Sequence, residues 1–262
     1  MIFNVNDGEL YGIEAGQGRT IVLIHGNGQD TRTWQNQIDV FSLGYNVLAY
    51  DIRGTGRSSR LPGRPFSHVA DLEGILNSKG ITDAYLVGIS LGGLIAMNFA
   101  YQHSHRAKGI VLVSSDLAGG PNDENYIRFL ASLKLAMRTG GPEKVTNRYI
   151  NSPLLRQPMS KPKVAKLIKD MLDGYQWELF AEDAPSGITK TITRIDLDEL
   201  KTPTLVMYGA DDIEKFQQNA KILSSEIRDA GLVAIEGSGH FPNLETPEVF
   251  NVQVIRFLES LK

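Results

Sequence analysis

Tyr85-Leu86-Val87-Gly88-Ile89-Ser90-Leu91-Gly92-Gly93 is the stretch on which the reading of this chain turns. An apolar run leads into Gly-x-Ser-x-Gly and a helix-like run follows it. A strand, a sharp turn and a helix in that order push the serine hydroxyl out at the apex. Glycines two residues to either side are needed because strand and helix pass so close that a Cβ would collide. Leu91 would open the helix, with its backbone N–H free to face a developing oxyanion. Ser90 is therefore the candidate nucleophile. Taken alone, the pentapeptide fits a small-residue packing turn equally well, so the rest of the chain has to decide.

Outward from that turn, short β-branched runs alternate with helical ones. The first residues read as a hairpin, Ile2–Val5 and 9–15, around Asn6-Asp7-Gly8. Strands are expected at Thr20–Ile24, 45–50, Ala84–Ile89, 109–114, 204–208 and Gly231–Ile235. Between them, Trp34, Ile38 and Phe41, then Val69, Leu72, Ile75 and Leu76, carry helical spacing. Such alternation predicts an α/β fold, a mostly parallel eight-stranded sheet with helices on both faces. Thr246-Pro247-Glu248 caps a last helix. From Leu117 to Leu200 the alternation stops. Helical runs over 124–139 and 163–180, punctuated by Gly140-Gly141-Pro142, Pro153 and Pro158, predict a small helical insertion after the sixth strand. The expected domains are thus a core of 1–116 and 201–262, with 117–200 as a helical lid.

Composition narrows the function. A chain of 262 residues buries a sizeable core, and its 42% hydrophobic and 22% charged residues are those of a soluble globular protein. A net charge of −3 gives no electrostatic reason for a nucleic-acid partner or an anionic membrane. The absence of cysteine excludes disulfides, a thiolate nucleophile and thiolate-bound metal. The first residues lack a basic segment followed by a long apolar one, so the default expectation is a cytoplasmic protein.

Further along, Ser90 is followed by Tyr208-Gly209-Ala210-Asp211-Asp212 and then by Gly237-Ser238-Gly239-His240-Phe241-Pro242. Ser, Asp, His is the chain order of one serine-hydrolase lineage and differs from the two common protease orders. With His25-Gly26-Asn27-Gly28, with Asp51-x-Arg53-Gly54-x-Gly56-x-Ser58, and with His240 running through Glu245 into Pro247-Glu248, the whole chain resembles the α/β-hydrolase fold superfamily. The resemblance implies a triad of Ser90, His240 and Asp212. In it the imidazole takes the serine proton, and the carboxylate orients the imidazole. It also implies an oxyanion hole from the backbone N–H groups of Asn27 and Leu91. Asp212 stands three residues after Gly209, the usual place of the acid; Asp211 and Asp116 remain competitors.

Within that superfamily several chemistries lose weight. Dehalogenases and epoxide hydrolases carry aspartate at the elbow, hydroxynitrile lyases a lysine near the base, and iminopeptidases a tryptophan after the serine. Haloperoxidase-like esterases carry an aromatic residue where this chain has Asn27. Hydrolysis of a small ester or lactone remains, esterase- or enol-lactonase-like, with a small-molecule substrate and no cofactor or metal. Carbon–carbon bond hydrolysis, acyl transfer and a slow-turnover receptor stay open as alternatives. Phe129, Met137, Trp177 and Phe241 are the candidate pocket residues. His25 is read as structural, His68, His103 and His105 as surface or satisfied core residues, and the lysines of 161–169 as a solvated helix face.

Overall fold

A computed structural model describes residues 1–121, 123–182, 184–185 and 193–261. Its eight strands are β1 (Ile2–Val5), β2 (Gly8–Ala15), β3 (Thr20–Ile24), β4 (Asn46–Tyr50), β5 (Ala84–Ile89), β6 (Ala107–Val113), β7 (Thr204–Gly209) and β8 (Gly231–Ile235). They form one sheet in the order β1-β2-β4-β3-β5-β6-β7-β8. Pairing is antiparallel from β1 to β2 and from β2 to β4, and parallel everywhere else. This is the α/β-hydrolase architecture that the sequence predicted.

The strand pattern shows why both faces are covered. On β3, Ile21 and Leu23 join one apolar cluster while Val22 and Ile24 join the other. Val47 and Ala49 divide in the same way from Leu48 and Tyr50 on β4, as do Val111 and Val113 from Ile110 and Leu112 on β6. Successive side chains point to opposite faces, so a strand apolar at every position needs cover on both. Helices α1 (Gln35–Phe41) and, at the end of the chain, Pro247–Ser260 cover the first face through Ile38, Phe41, Phe250, Val254 and Leu258. Helices α2 (His68–Ser78) and α3 (Leu91–Gln102) cover the second.

Between β6 and β7 the described chain is helical, with one isolated bridge, Ala118 to Thr193. Helix α4 spans Glu124–Ile150 but breaks into two arms at Gly141, whose φ of 65° and ψ of −163° lie outside the helical region. Pro142 then restarts it. Two short pieces follow, α5 (Arg156–Ser160) and α6 (Pro162–Leu172). The second helical run is shorter than the expected 163–180. Gly174 turns the chain at φ 72°, and only a single 3-10 turn, Glu178–Phe180, follows. After β7 come α7 (Glu214–Glu226), the short α8 (Pro242–Glu245) and α9, the terminal helix. No helix among the described residues is long and apolar enough to cross a membrane.

Candidate active site

Ser90 sits between β5 and α3 with φ 55° and ψ −116°. A non-glycine residue held there stores on the order of 1–3 kcal/mol of backbone strain. The neighbours enforce it. A Cβ on Gly88 would strike the backbone of Gly92, and one on Gly92 would strike the carbonyls of Ile24 and His25. The Ser90 N–H donates to the Val113 carbonyl at 2.9 Å, tying the turn to β6. Its Oγ has no hydrogen-bond partner among the described residues. The loop after β3 passes close by, since a Cβ on Gly26 would lie 3.0 Å from the Ser90 Cβ.

His240 lies in the loop after β8, and its Nδ1 is 3.0 Å from Asp212 Oδ2. Both side chains are buried, at 1% and 0% exposure. The second oxygen of Asp212 accepts from the Ile213 N–H at 2.8 Å, so the carboxylate is held on both sides. His240 Nε2 has no partner among the described residues. The imidazole ring rests on Phe216, centroids 4.3 Å apart, and on Phe241 at 5.2 Å.

The rival acids are engaged elsewhere. Asp116 binds Lys215 Nζ at 2.9 Å and the Leu117 N–H at 2.9 Å. Among the described residues the Asp211 carboxylate meets only Gln157 Nε2, at 3.4 Å. Lys215 shows how folding creates neighbours that spacing hides. No lysine lies near His240 in sequence, yet the Lys215 ammonium stands 5.5 Å from the centre of the Phe216 ring on which His240 rests. It also stands 4.8 Å from the ring of Tyr126.

Two further residues hold the His240 loop. Glu245, on α8, accepts from the N–H of Gly239 at 2.9 Å and of Phe241 at 3.0 Å, bracketing the histidine. Burial pushes its carboxyl above the ordinary value, against the lowering effect of those N–H groups, Lys161 and His240. The available signal was a carboxylate one turn into a helix reaching back to its capping N–H. Lys161, read from sequence as part of a solvated face, instead donates to the carbonyls of Gly237 and Glu245, both at 2.8 Å. Lys166, by contrast, pairs with exposed Asp170 along its helix.

Of the other sequence candidates, Leu91 opens α3, so its N–H has no partner within the helix. Asn27 lies in the β3 loop, its carboxamide oxygen buried without a partner among the described residues and its carbonyl accepting from the Tyr149 hydroxyl at 3.2 Å. Phe241 is buried against His240. Trp177 is buried too, with its indole N–H donating to Thr146 at 2.8 Å. Phe129 is half-buried and stacks on Tyr149 at 6.4 Å. It also lines a groove of about 630 Å³ on the helices between β6 and β7, beside Arg128, Lys144 and Arg148. Met137 packs half-buried on the apolar cluster below.

His25 is fully buried with both ring nitrogens engaged, Nδ1 to the Gly26 carbonyl at 2.8 Å and Nε2 accepting from the Ile52 N–H at 3.0 Å. Asp51 serves a turn, accepting from the N–H groups of Thr31 and Arg57. Arg53 is held by both oxygens of Asp71 at 2.7 and 2.8 Å. Among the described residues no group of three or more histidine and acidic side chains is arranged to hold a metal ion.

Residues 21–253 match the model of the alpha/beta hydrolase family. Among curated relatives, the chain is 26% identical to 2-hydroxy-6-oxo-6-phenylhexa-2,4-dienoate hydrolase of Burkholderia cepacia, covering 94% of this chain and 90% of that one. It is 27% identical to a protein of Azorhizobium caulinodans named provisionally as the carbamate hydrolase RutD, covering 96% and 95%. The crystal structure of the enol-lactonase from Burkholderia xenovorans LB400 superposes with a TM-score of 0.86 at 24% identity, over 99% of this chain and 100% of that one. At that identity the likeness concerns the fold.

Proposed function

This chain belongs to the alpha/beta hydrolase family, and from that premise we propose that it is a serine hydrolase that cleaves a small carboxylic ester or lactone. The observation that carries the reading is the pair of half-used groups at one edge of the sheet. His240 is fixed to Asp212 through Nδ1 at 3.0 Å, Ser90 is strained into the elbow, and among the described residues neither His240 Nε2 nor the Ser90 hydroxyl has a hydrogen-bond partner.

In this reading Ser90 Oγ attacks the acyl carbonyl while His240 Nε2 takes its proton. Asp212 keeps the imidazole in the tautomer that presents Nε2 as base and balances the imidazolium that forms. The oxyanion of the tetrahedral intermediate is met by the N–H groups of Asn27 and Leu91. His240 returns the proton to the leaving alcohol, and water repeats the sequence on the acyl-enzyme. The inserted helices act as a lid that brings Tyr126, Phe129 and Trp177 to the region above, which suits an uncharged acyl group. Carbon–carbon bond hydrolysis is the second reading, favoured by the relative from Burkholderia cepacia, and uses the same serine.

The test is release of p-nitrophenol from short-chain esters by the wild type and by Ser90→Ala, followed from the first turnover. A burst with steady turnover, lost in the variant by a factor of about 10⁶ in kcat, is expected. Turnover that survives in Ser90→Ala would sink the proposal. Activity confined to vinylogous diketones, with none on esters, would move the assignment to the second reading.

A further inference from the structure

The peptide joining Asn27 to Gly28 lies in the loop that offers the Asn27 N–H to the reaction, and the inserted helices grip it. The hydroxyl of Tyr149, on the second arm of α4, donates to the Asn27 carbonyl at 3.2 Å. Gly28 has a φ of 71°, and the place of its missing side chain is taken by Tyr149 at 3.0 Å and by Leu172 and Trp177 at 3.3 Å. Tyr149 is itself 4% exposed, edge-on to Trp177 at 4.8 Å and stacked on Phe129. It is therefore a hydroxyl that packing delivers to one carbonyl.

On the other side of Asn27 the loop is equally fixed. Gly26 donates its N–H to Gln29 Oε1 at 2.9 Å, and its carbonyl is held by His25 Nδ1. The Asn27 N–H belongs to the Gly26–Asn27 peptide, whose carbonyl is held by a residue of its own loop, and the next peptide, Asn27–Gly28, is held by the insertion. A donor fixed before the reaction stabilises charge without reorganising when that charge develops. Small misplacements of such a group cost rate out of proportion to their size.

We propose that Tyr149 is a positioning residue for the oxyanion donor. The insertion then contributes directly to transition-state stabilisation, besides covering the pocket. The inference rests on the serine-hydrolase reading above.

Tyr149→Phe keeps the ring and its stacking and removes only the hydroxyl. With p-nitrophenyl butyrate, kcat is expected to fall about tenfold, less than the loss from removing a direct donor, while KM and Tm stay near wild type. Labelling of Ser90 by a fluorophosphonate, in which Oγ displaces fluoride at phosphorus, should slow in parallel. Thr146→Val is the control, because it removes the partner of the Trp177 indole and loosens the same packing without touching Asn27; its kcat should be unchanged. Wild-type kcat in Tyr149→Phe would overturn the inference, as would a rise in KM alone or an equal kcat loss in Thr146→Val. If the fluorophosphonate labels no Ser90 in the wild type, the serine-hydrolase reading falls first. Labelled wild type with an indifferent Tyr149→Phe removes this inference alone.

Discussion

Two buried imidazoles stand at the same edge of the sheet, His25 after β3 and His240 after β8, and their surroundings differ in completeness. His25 has both nitrogens committed, to the Gly26 carbonyl and the Ile52 N–H, with the Thr55 hydroxyl also 3.2 Å from Nε2. Burial pushes its basicity down, against the attraction of Asp51. His240 is just as enclosed, yet among the described residues only its Nδ1 is committed, to Asp212. A saturated imidazole is a strut, since protonation would break a bond already made. An imidazole with one nitrogen fixed and the other open can accept a proton without losing its orientation. The carboxylates divide in the same way. Asp71 spends both oxygens on Arg53, whereas Asp212 spends one on a backbone N–H and the other on the histidine.

The sharpest way to break the comparison is Asp212→Asn. The amide would favour the wrong imidazole tautomer, and kcat is expected to fall by about 10⁴ with little change in Tm. Near-wild-type turnover in this variant would show that the acid lies elsewhere. The structural counterpart is Asp71→Ala. It strands the Arg53 guanidinium, 1% exposed, with the exposed Asp7 at 3.5 Å and the Phe66 ring at 5.9 Å as its remaining neighbours among the described residues. Urea unfolding should report a loss of about 3–5 kcal/mol, while activity per folded molecule holds. A variant as stable as wild type, or one inactive while folded, would erase the distinction between struts and site.

His68 tests the far limit, a buried imidazole whose two nitrogens have no partner among the described residues. Burial pushes it down to about 4, with Arg53 and His25 adding to the effect and Asp71 opposing it. An unfolded histidine takes its proton near the ordinary value of 6.5, so between there and about 4 the unfolded chain holds more protons. Stability is therefore complete above that window and falls as pH drops through it, by about 3 kcal/mol from this residue. His25 acts in the same direction, so His68→Phe should flatten part of the slope of Tm against pH and leave the rest. An unchanged slope would refute the assignment. The smallest effect is expected from Asp116→Asn, whose carboxylate serves Lys215 and a backbone N–H; kcat should stay within about tenfold of wild type. A loss matching that of Asp212→Asn would make Asp116 the acid.

Much of this arrangement was legible before any coordinates. The central strands show because they are apolar along almost their whole length, as at Ala84–Ile89. The elbow shows because glycine at 88 is demanded by the backbone of Gly92 a few residues on, although glycine at 92 is demanded by the distant carbonyls of Ile24 and His25. Asp212 and His240 could be named from their places after the seventh and eighth strands, whereas the competition from Asp116 could not be resolved. Its partner Lys215 lies 99 positions away and meets it only because β6 and β7 are neighbours. The second arm of α4 escaped notice for another reason. Gly140-Gly141-Pro142 reads as an end, but here it bends a helix that then resumes.

Sequence alone therefore determined what short-range sterics and periodicity encode: the α/β layering, the strained turn at Ser90, the order of the candidate triad and the helical character of the stretch between β6 and β7. Tertiary structure decided which polar groups are spent and which are left open. Lys215 takes Asp116, Glu245 and Lys161 hold the His240 loop, and Tyr149 reaches the Asn27 carbonyl 122 residues away in sequence. A hydrogen bond needs its partners within about 3 Å in the right direction, and nothing in local sequence records which distant side chain the folded sheet brings that close.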